Sequence, residues 1–265
     1  MEWLQVVILA IVQGITEFLP VSSSAHLILV PVLTDWPDQG LAFDVALHLC
    51  SLSAVLIYFR RDIIGMLQSW LRSLHTRQLD ADAKLAWAVI LGTIPVGLAG
   101  LLLKDTVETV LRSPIYLSIG LIAFGLLLGW ADWRFRGNRS EYQMNWKDVL
   151  FIGCAQALAL FPGTSRSGIT MTAALMLGMS REASARFSFL LSIPVIVLAC
   201  GLETLELVES QVAVNWAQMA AGVVLSGISA YLCIHYFLAF IKRIGMQPFV
   251  VYRIVLGALL LWIFL

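Results

Sequence analysis

Long apolar segments, each close to the thickness of a bilayer, account for most of this chain. Six of them have the length of a membrane-spanning helix, which needs about 20 residues; they cover residues 41–59, 85–103, 115–133, 187–202, 214–241 and 249–265. Only 13% of the 265 residues are charged, compared with about 25% in soluble domains. We therefore expect an all-α, polytopic membrane protein with six transmembrane helices, forming one membrane domain over residues 1–265.

Two further apolar segments, residues 3–33 and 149–179, are too long for one span and are polar in the middle. Glu17 and a run of serines interrupt the first, and Pro162 and Arg166 interrupt the second. Irregular backbone at membrane depth is tolerated only where it is buried in protein or lines a wet cavity. Each segment is therefore predicted to be a re-entrant helical hairpin, and the two polar breaks are predicted to form a site.

The two breaks resemble each other, which indicates a duplication. Aligning Pro20 with Pro162 matches the polar residues that follow each proline. Repeat one is predicted to cover residues 1–135 and repeat two residues 146–265, each consisting of a hairpin and three spans.

Loop charge predicts how the two repeats are oriented. The loops at 60–84 and 134–147 contain five and four Lys or Arg residues, whereas the loop at 203–213 contains none. Basic loops face the cytoplasm, and three spans separate the hairpins. The repeats are therefore predicted to be inverted, with the first hairpin entering from the external side.

The second break combines a tight turn with hydroxyl groups and an arginine. A helix that begins near Ser165 or Arg166 would present free N–H groups to an anion, and the guanidinium is suited to phosphate oxygens. The predicted phosphate-binding residues of this break are Gly163, Thr164, Ser165, Arg166, Ser167, Gly168 and Thr170. The alternative, an arginine that only reaches a lipid headgroup, does not explain the flanking serines.

The first break supplies an acid in an apolar setting. Gln13 and Glu17 are four residues apart, on one helical face. A buried acid must titrate, pair with Arg166 or bind a cation. Because Mg²⁺ prefers carboxylate and amide oxygens, Glu17, with Gln13 beside it, is predicted as a metal site.

A serine run and a histidine follow this acid. Ser22 and Ser24 are predicted to bind phosphate as well, although Ser22 is also suited to capping the second half-helix. Ser23 and His26 share one helical face, so both are candidates for catalysis. The other three histidines, His48, His75 and His235, lack such neighbours in the sequence and are not predicted to take part.

The two broken segments also resemble a known family. QGITEFLPVSSSAH at 13–26 and PGTSRSG at 162–168 closely resemble the two signature motifs of the bacterial undecaprenyl-diphosphate phosphatases of the bacitracin-resistance (BacA/UppP) type. Further similarity at 156–161 and 248–253 extends the resemblance to nearly the whole chain. It implies a fold of six spans and two re-entrant hairpins.

The resemblance also implies an activity. Members of this family remove the terminal phosphate of undecaprenyl diphosphate in the inner membrane, which regenerates the C55 carrier lipid for peptidoglycan synthesis, and they depend on Mg²⁺ or Ca²⁺. Glu17, Ser23, His26 and Arg166 match the family's functional residues. Gln13 departs from the usual glutamate, so a mechanism that needs two carboxylates is not supported.

Several alternatives stay open at this point. Ser23 could attack phosphorus after deprotonation by Glu17 or His26, His26 could attack directly, or Glu17 could orient water. A transporter or flippase for a phosphorylated polyprenyl lipid is the alternative function, because carriers also contain inverted repeats with broken helices.

The remaining expectations concern partners and sidedness. The substrate and the lipid bilayer are the expected partners, and the sequence leaves open whether the chain forms a homodimer. The 17 basic and 17 acidic residues balance, which gives no reason to expect a nucleic-acid partner. The active site is predicted to face the periplasm.

Overall fold

The computed structural model describes residues 2–34, 36, 41–109, 113–210 and 215–265. Its helices are α1 (Trp3–Thr16), α2 (Ser23–Thr34), α3 (Leu41–Tyr58), α4 (Arg60–Thr76), α5 (Ala81–Thr109), α6 (Pro114–Arg134), α7 (Trp146–Ala157), α8 (Arg166–Met176), α9 (Arg181–Ser210), α10 (Trp216–Ile241) and α11 (Gln247–Phe264). Short 3₁₀ turns cover Glu141–Gln143 and Leu158–Leu160. The described residues contain no strand, only one isolated β-bridge. The predicted all-α class is confirmed.

Several of these helices are suited to a bilayer. Five segments are long and apolar enough to cross it: Ala81–Leu103, Pro114–Arg134, Arg181–Leu202, Trp216–Ile241 and Gln247–Phe264. The chain is therefore a multi-pass membrane protein.

The first predicted span, 41–59, corresponds to α3. Its apolar segment Val45–Tyr58 is shorter than the other five. Residue 214, where another span was predicted to begin, lies outside the described residues, and the helix there begins at Trp216.

Both interrupted segments form the predicted pair of short helices around a break. In the first, α1 ends at Thr16 and α2 begins at Ser23; in the second, α8 begins at Arg166 after α7 and a 3₁₀ turn. The Ser165 side chain caps α8 by accepting a hydrogen bond of 3.2 Å from the backbone N–H of Gly168, as a serine at an N-cap does.

The two hairpins share a constant spacing of 143 residues. It separates the first residues of α1 and α7 and the first residues of α2 and α8. It also separates Ser22 and Ser165, which both have positive φ angles, 72° and 67°. The alignment of Pro20 with Pro162 was therefore wrong by one residue. Both turns contain a proline, but the two prolines occupy different positions in the turn.

The hairpins pack against helices from both ends of the chain. Helix α1 packs on α10, which also packs on α3. In the same way, α7 packs on α5, which also packs on α9. The α6–α11 and α3–α9 pairs complete the bundle. Ala25 of α2 is enclosed between Leu117 of α6 and Leu256 of α11, so the breaks are covered on all these sides.

The structure contains a helix that was predicted as a loop. Helix α4 lies inside the basic segment 60–84 and packs against α5. Arg186 donates a hydrogen bond of 2.8 Å to Asp62 in the first turn of α4 and another of 2.7 Å to Glu141 in the first 3₁₀ turn. The arginines of α4 interrupt its apolar pattern, which is why the segment resembled a loop.

Candidate functional site

The two breaks meet at a small cavity of about 150 Å³. It is lined by Glu17, Ser22, Ser23, Ser24, His48, Ala159, Phe161, Gly163, Ser165 and Arg166. Seven of these ten were predicted as site residues from the sequence. The cavity therefore joins the acid and serines of the first break to the arginine of the second.

Glu17 is the centre of this arrangement. Its Oε1 accepts a hydrogen bond of 2.8 Å from Nη2 of Arg166, and its Oε2 accepts hydrogen bonds of 2.9 Å from Ser23 and from Gln13. Only 7% of the Glu17 side chain and 12% of the Arg166 side chain are exposed. Charge-assisted pairs are strong where water is scarce, so this ion pair fixes one break against the other.

The Arg166 guanidinium is only partly used by this pair. Its Nη1 is buried, and no described group forms a hydrogen bond with it. The hydroxyl of Thr164 in the same break is likewise buried without a partner. A buried donor without an acceptor costs about 1–3 kcal/mol. Because Arg166 lines the cavity, its free Nη1 is available to an anionic ligand.

Two serines shape the breaks through their backbone. Ser22 and Ser165 adopt left-handed conformations, which cost a non-glycine residue roughly 1 kcal/mol or more. Ser22 exchanges a hydrogen bond of 3.1 Å with Ser24, and Ser165 does the same with Ser167. The two serine pairs, which occupy equivalent positions, thus stabilise both turns immediately before the helices that follow.

His26, a predicted catalytic residue, is held away from the Glu17 cluster. Its Nδ1 lies 2.7 Å from the carbonyl of Ser22 and its Nε2 lies 2.5 Å from the hydroxyl of Tyr252. Because a carbonyl only accepts, Nδ1 donates, and Nε2 is free to accept from the tyrosine. Both ring nitrogens are thus engaged, and the ring does not line the cavity.

His48, which sequence reasoning set aside, lines the cavity instead. Its Nε2 lies 3.7 Å from Oε2 of Glu17, and 30% of its side chain is exposed. It comes from α3, far along the chain from both motifs. Only the packing of α3 against α1 and α10 brings it here.

Several predicted phosphate-binding residues have other contacts. Ser167 donates to the carbonyl of Leu19 at 2.9 Å, which ties the second break to the first. The Thr170 hydroxyl shares a hydrogen bond of 2.7 Å with Ser188. Together with Thr164 and Gly168, these residues are buried in the protein and lie outside the cavity lining.

A larger cavity, about 520 Å³, lies near the C-terminal end of α8. Four of its five charged side chains are already paired, Arg181 with Asp132 and Lys242 with Glu182; the fifth, Arg136, is exposed. Charges that are already paired leave little for a ligand to neutralise. The smaller cavity, with its unused guanidinium nitrogen, is the stronger candidate for chemistry.

Comparison with known proteins identifies the family. The sequence model described as Bacitracin resistance protein BacA matches residues 6–259. The chain belongs to the BacA family. It is 62% identical over 267 residues to Undecaprenyl-diphosphatase 2 of Stutzerimonas stutzeri (strain A1501), with 100% of this chain and 99% of the relative covered. It is 58% identical over 265 residues to Undecaprenyl-diphosphatase of Thioalkalivibrio sulfidiphilus (strain HL-EbGR7), with full coverage of both.

One residue of this BacA-family chain, Arg253 of α11, supports both breaks and was missed as a site residue. Its side chain is fully buried. It donates to backbone carbonyls on three parts of the chain: Pro20 in the first break, Gly163 and Thr164 in the second, and Gly120 and Leu121 in α6. A lone arginine in an apolar span was the available sequence signal.

Helix α6 lies close enough to the second break for this contact because it has glycine at position 120. A Cβ atom built there would lie 2.0 Å from the carbonyl oxygen of Pro162. Only hydrogen fits at that distance. The arginine and the glycine together hold the break in place.

Replacing Arg253 by methionine should therefore destabilise the whole fold. Buried carbonyls that lose their donor cost about 1–3 kcal/mol each, so we expect a loss of at least about 3 kcal/mol. That corresponds to roughly 6–12 °C in the midpoint of thermal unfolding, measured on the detergent-purified protein. Arg243→Met, which removes an exposed arginine, is the matched control and should have the same unfolding midpoint as the wild type. Equal midpoints for all three proteins would contradict the role of Arg253.

Proposed function

We propose that this protein hydrolyses undecaprenyl diphosphate to undecaprenyl phosphate and inorganic phosphate. Its relatives carry the name undecaprenyl-diphosphatase at 53–62% identity over the full chain. The observation that carries the proposal is the buried, unpartnered Nη1 of Arg166, beside a serine hydroxyl that is hydrogen-bonded to a carboxylate. A phosphate group is the ligand that would use both.

The second break would hold the diphosphate. Arg166 would direct its free Nη1 at the terminal phosphate while Nη2 keeps its bond to Glu17. The first N–H groups of α8 have no intrahelical acceptor, and the positive end of the helix favours an anion. Fixed donors of this kind offset the charge that develops on a phosphoryl group during transfer.

The first break would supply the nucleophile. The Ser23 hydroxyl donates a hydrogen bond of 2.9 Å to the Glu17 carboxylate. The hydroxyl proton can therefore move to the carboxylate while Oγ attacks the terminal phosphorus. The bond from phosphorus to the bridging oxygen then breaks, and undecaprenyl phosphate leaves. Water would hydrolyse the phosphoserine and release inorganic phosphate. Attack by His26 is less well supported, because both of its ring nitrogens are engaged.

A divalent cation, Mg²⁺ or Ca²⁺, fits the oxygen atoms of the first break. The amide oxygen of Gln13 is buried without a hydrogen-bond partner, and the Glu17 carboxylate lies beside it. Among the described residues, no cluster of three or more acidic, histidine or cysteine side chains is placed to hold a metal ion, so substrate phosphate oxygens and water would complete the ligand set. Such a cation would neutralise charge on the diphosphate.

Phosphate release from a polyprenyl diphosphate by the purified protein tests the proposal. We expect Ser23→Ala and Arg166→Lys each to lower the rate by about 100-fold or more, the effect of losing one preorganised group at a reacting centre. Removing divalent cations with EDTA should abolish release from the wild-type protein.

Ser53→Ala is the matched control for these variants. Ser53 is exposed on α3 and donates only within its own helix, so its loss should leave the rate unchanged. Wild-type rates in Ser23→Ala and Arg166→Lys would contradict the proposal.

In that case the alternative, a transporter or flippase for a phosphorylated polyprenyl lipid, would be tested next by lipid translocation in vesicles. The Ser23–Glu17 hydrogen bond favours hydrolysis, because a carrier needs no activated hydroxyl.

The two halves are proposed to be inverted repeats with six spans and two re-entrant hairpins. The constant spacing of 143 residues supports this. The packing supports it as well, because the first hairpin helix of each half packs on a helix of the other half, α1 on α10 and α7 on α5. The proposed repeat boundaries stay at residues 1–135 and 146–265. Because both breaks come from one chain, the cavity needs no second copy, and any homodimer would form elsewhere.

The protein is proposed to lie in the bacterial inner membrane with the cavity open to the periplasm. There it would recycle the carrier lipid of peptidoglycan synthesis, which confers bacitracin resistance. The support is the distribution of basic loops.

A membrane-impermeant thiol reagent tests this orientation in intact cells. Ser24 is exposed and lines the cavity, so Ser24→Cys should be labelled from outside, and Arg136→Cys, on a basic loop, only after lysis. The reverse pattern would contradict the orientation. A chain with Cys154→Ser and Cys233→Ala provides the background, since the other two cysteines are buried.

A further inference from the structure

Helix α4 carries two apolar stripes, and the described residues pack closely against only one of them. The first consists of Ile63, Met66 and Trp70, which pack into the main core. The second consists of Ile64, Leu67, Leu71 and Leu74, whose residues are each 48–54% exposed. Both stripes have the spacing of a helical face. The second stripe therefore lies beside the first on the helix and is left half uncovered by the described residues.

The ends of α4 place it at one surface of the bundle. Only Phe59 separates its first residue from the end of α3, and Asp62 is tied to Arg186 in the second turn of α9. Only residues 77–80 separate its last residue from the start of α5. The ring of Trp70 contacts that of Trp87, in the second turn of α5. Helix α4 thus lies across the ends of α5 and α9.

The exposed stripe is bordered by basic and polar side chains. Arg61, Gln68, Arg72 and His75 are exposed, and the helical period places them next to the stripe, on the side away from the core. An apolar stripe with such a border is typical of a helix that lies in the membrane interface, with its apolar face among acyl chains and its arginines among headgroups.

We infer that α4 is an interfacial helix that binds the surface of an acidic-lipid leaflet. The apolar stripe enters the acyl region, and Arg61 and Arg72 contact anionic headgroups. Charge decides the occupant: two arginines beside an aliphatic stripe complement an acidic lipid surface, whereas a second α4 would set arginine against arginine. This inference does not depend on the proposed chemistry of the cavity.

Spin labels on the full-length protein in lipid nanodiscs test the position of the helix. Single cysteines at Leu67 and Leu71 should be accessible to oxygen, which partitions into lipid, and should lose accessibility to a water-soluble nickel chelate. A label at Gln68 on the polar border should show the opposite. All three positions are exposed, so the labels should not disturb folding; the thermal midpoint of each variant verifies this.

Nickel accessibility at Leu67 and Leu71 equal to that at Gln68 would overturn the inference. Labels shielded from both reagents, with a short distance between labels on two chains, would overturn it in favour of a second copy of this protein.

A second measurement tests the choice of acidic lipid. The association of spin-labelled phosphatidylglycerol relative to phosphatidylcholine should fall in the double variant Arg61→Gln/Arg72→Gln, by about fivefold for each arginine in contact with headgroups. Gln68→Ala, on the same border without loss of charge, should retain the wild-type preference. An unchanged preference in the double variant would overturn the acidic-lipid assignment.

Discussion

Everything at the centre of this protein depends on satisfying two stretches of non-helical backbone inside an apolar bundle. Water is scarce there, and each unpaired carbonyl is costly. Arg253 meets this demand for both breaks at once, because one buried guanidinium donates to Pro20 on one side and to Gly163 and Thr164 on the other. The Ser167 hydroxyl adds a link to Leu19. The breaks are consequently held in register before any ligand binds.

This framework allows the two halves to differ in chemistry. The first break contributes a carboxylate and a hydroxyl, and the second contributes a cation and the start of a helix. The ion pair between Glu17 and Arg166 joins them. Because no described group bonds one nitrogen of the guanidinium, Arg166 keeps a donor for the phosphate that we propose it binds. Turns of similar backbone geometry thus carry complementary side chains.

Sequence reasoning reached the local features and missed those that depend on tertiary packing. The break positions and the start of α8 at Arg166 follow from polar residues inside apolar segments, and the pairing of Glu17 with Arg166 was one of three alternatives for a buried acid. His48 and Arg253 lie far from both motifs, and only helix packing brings them to the breaks. Conversely, His26 has the right residue type and spacing, but Tyr252, remote in sequence, engages its ring.

If Ser23, paired with Glu17, attacks a phosphate held by Arg166, a phosphoserine forms during turnover. Rapid acid quenching of the enzyme with polyprenyl diphosphate carrying a labelled terminal phosphate, followed by mass spectrometry of the peptides, tests it most directly. We expect an acid-stable phosphate on Ser23 that is absent from Ser23→Ala. An acid-labile label on His26 or His48, or full turnover without any label on Ser23, would contradict it.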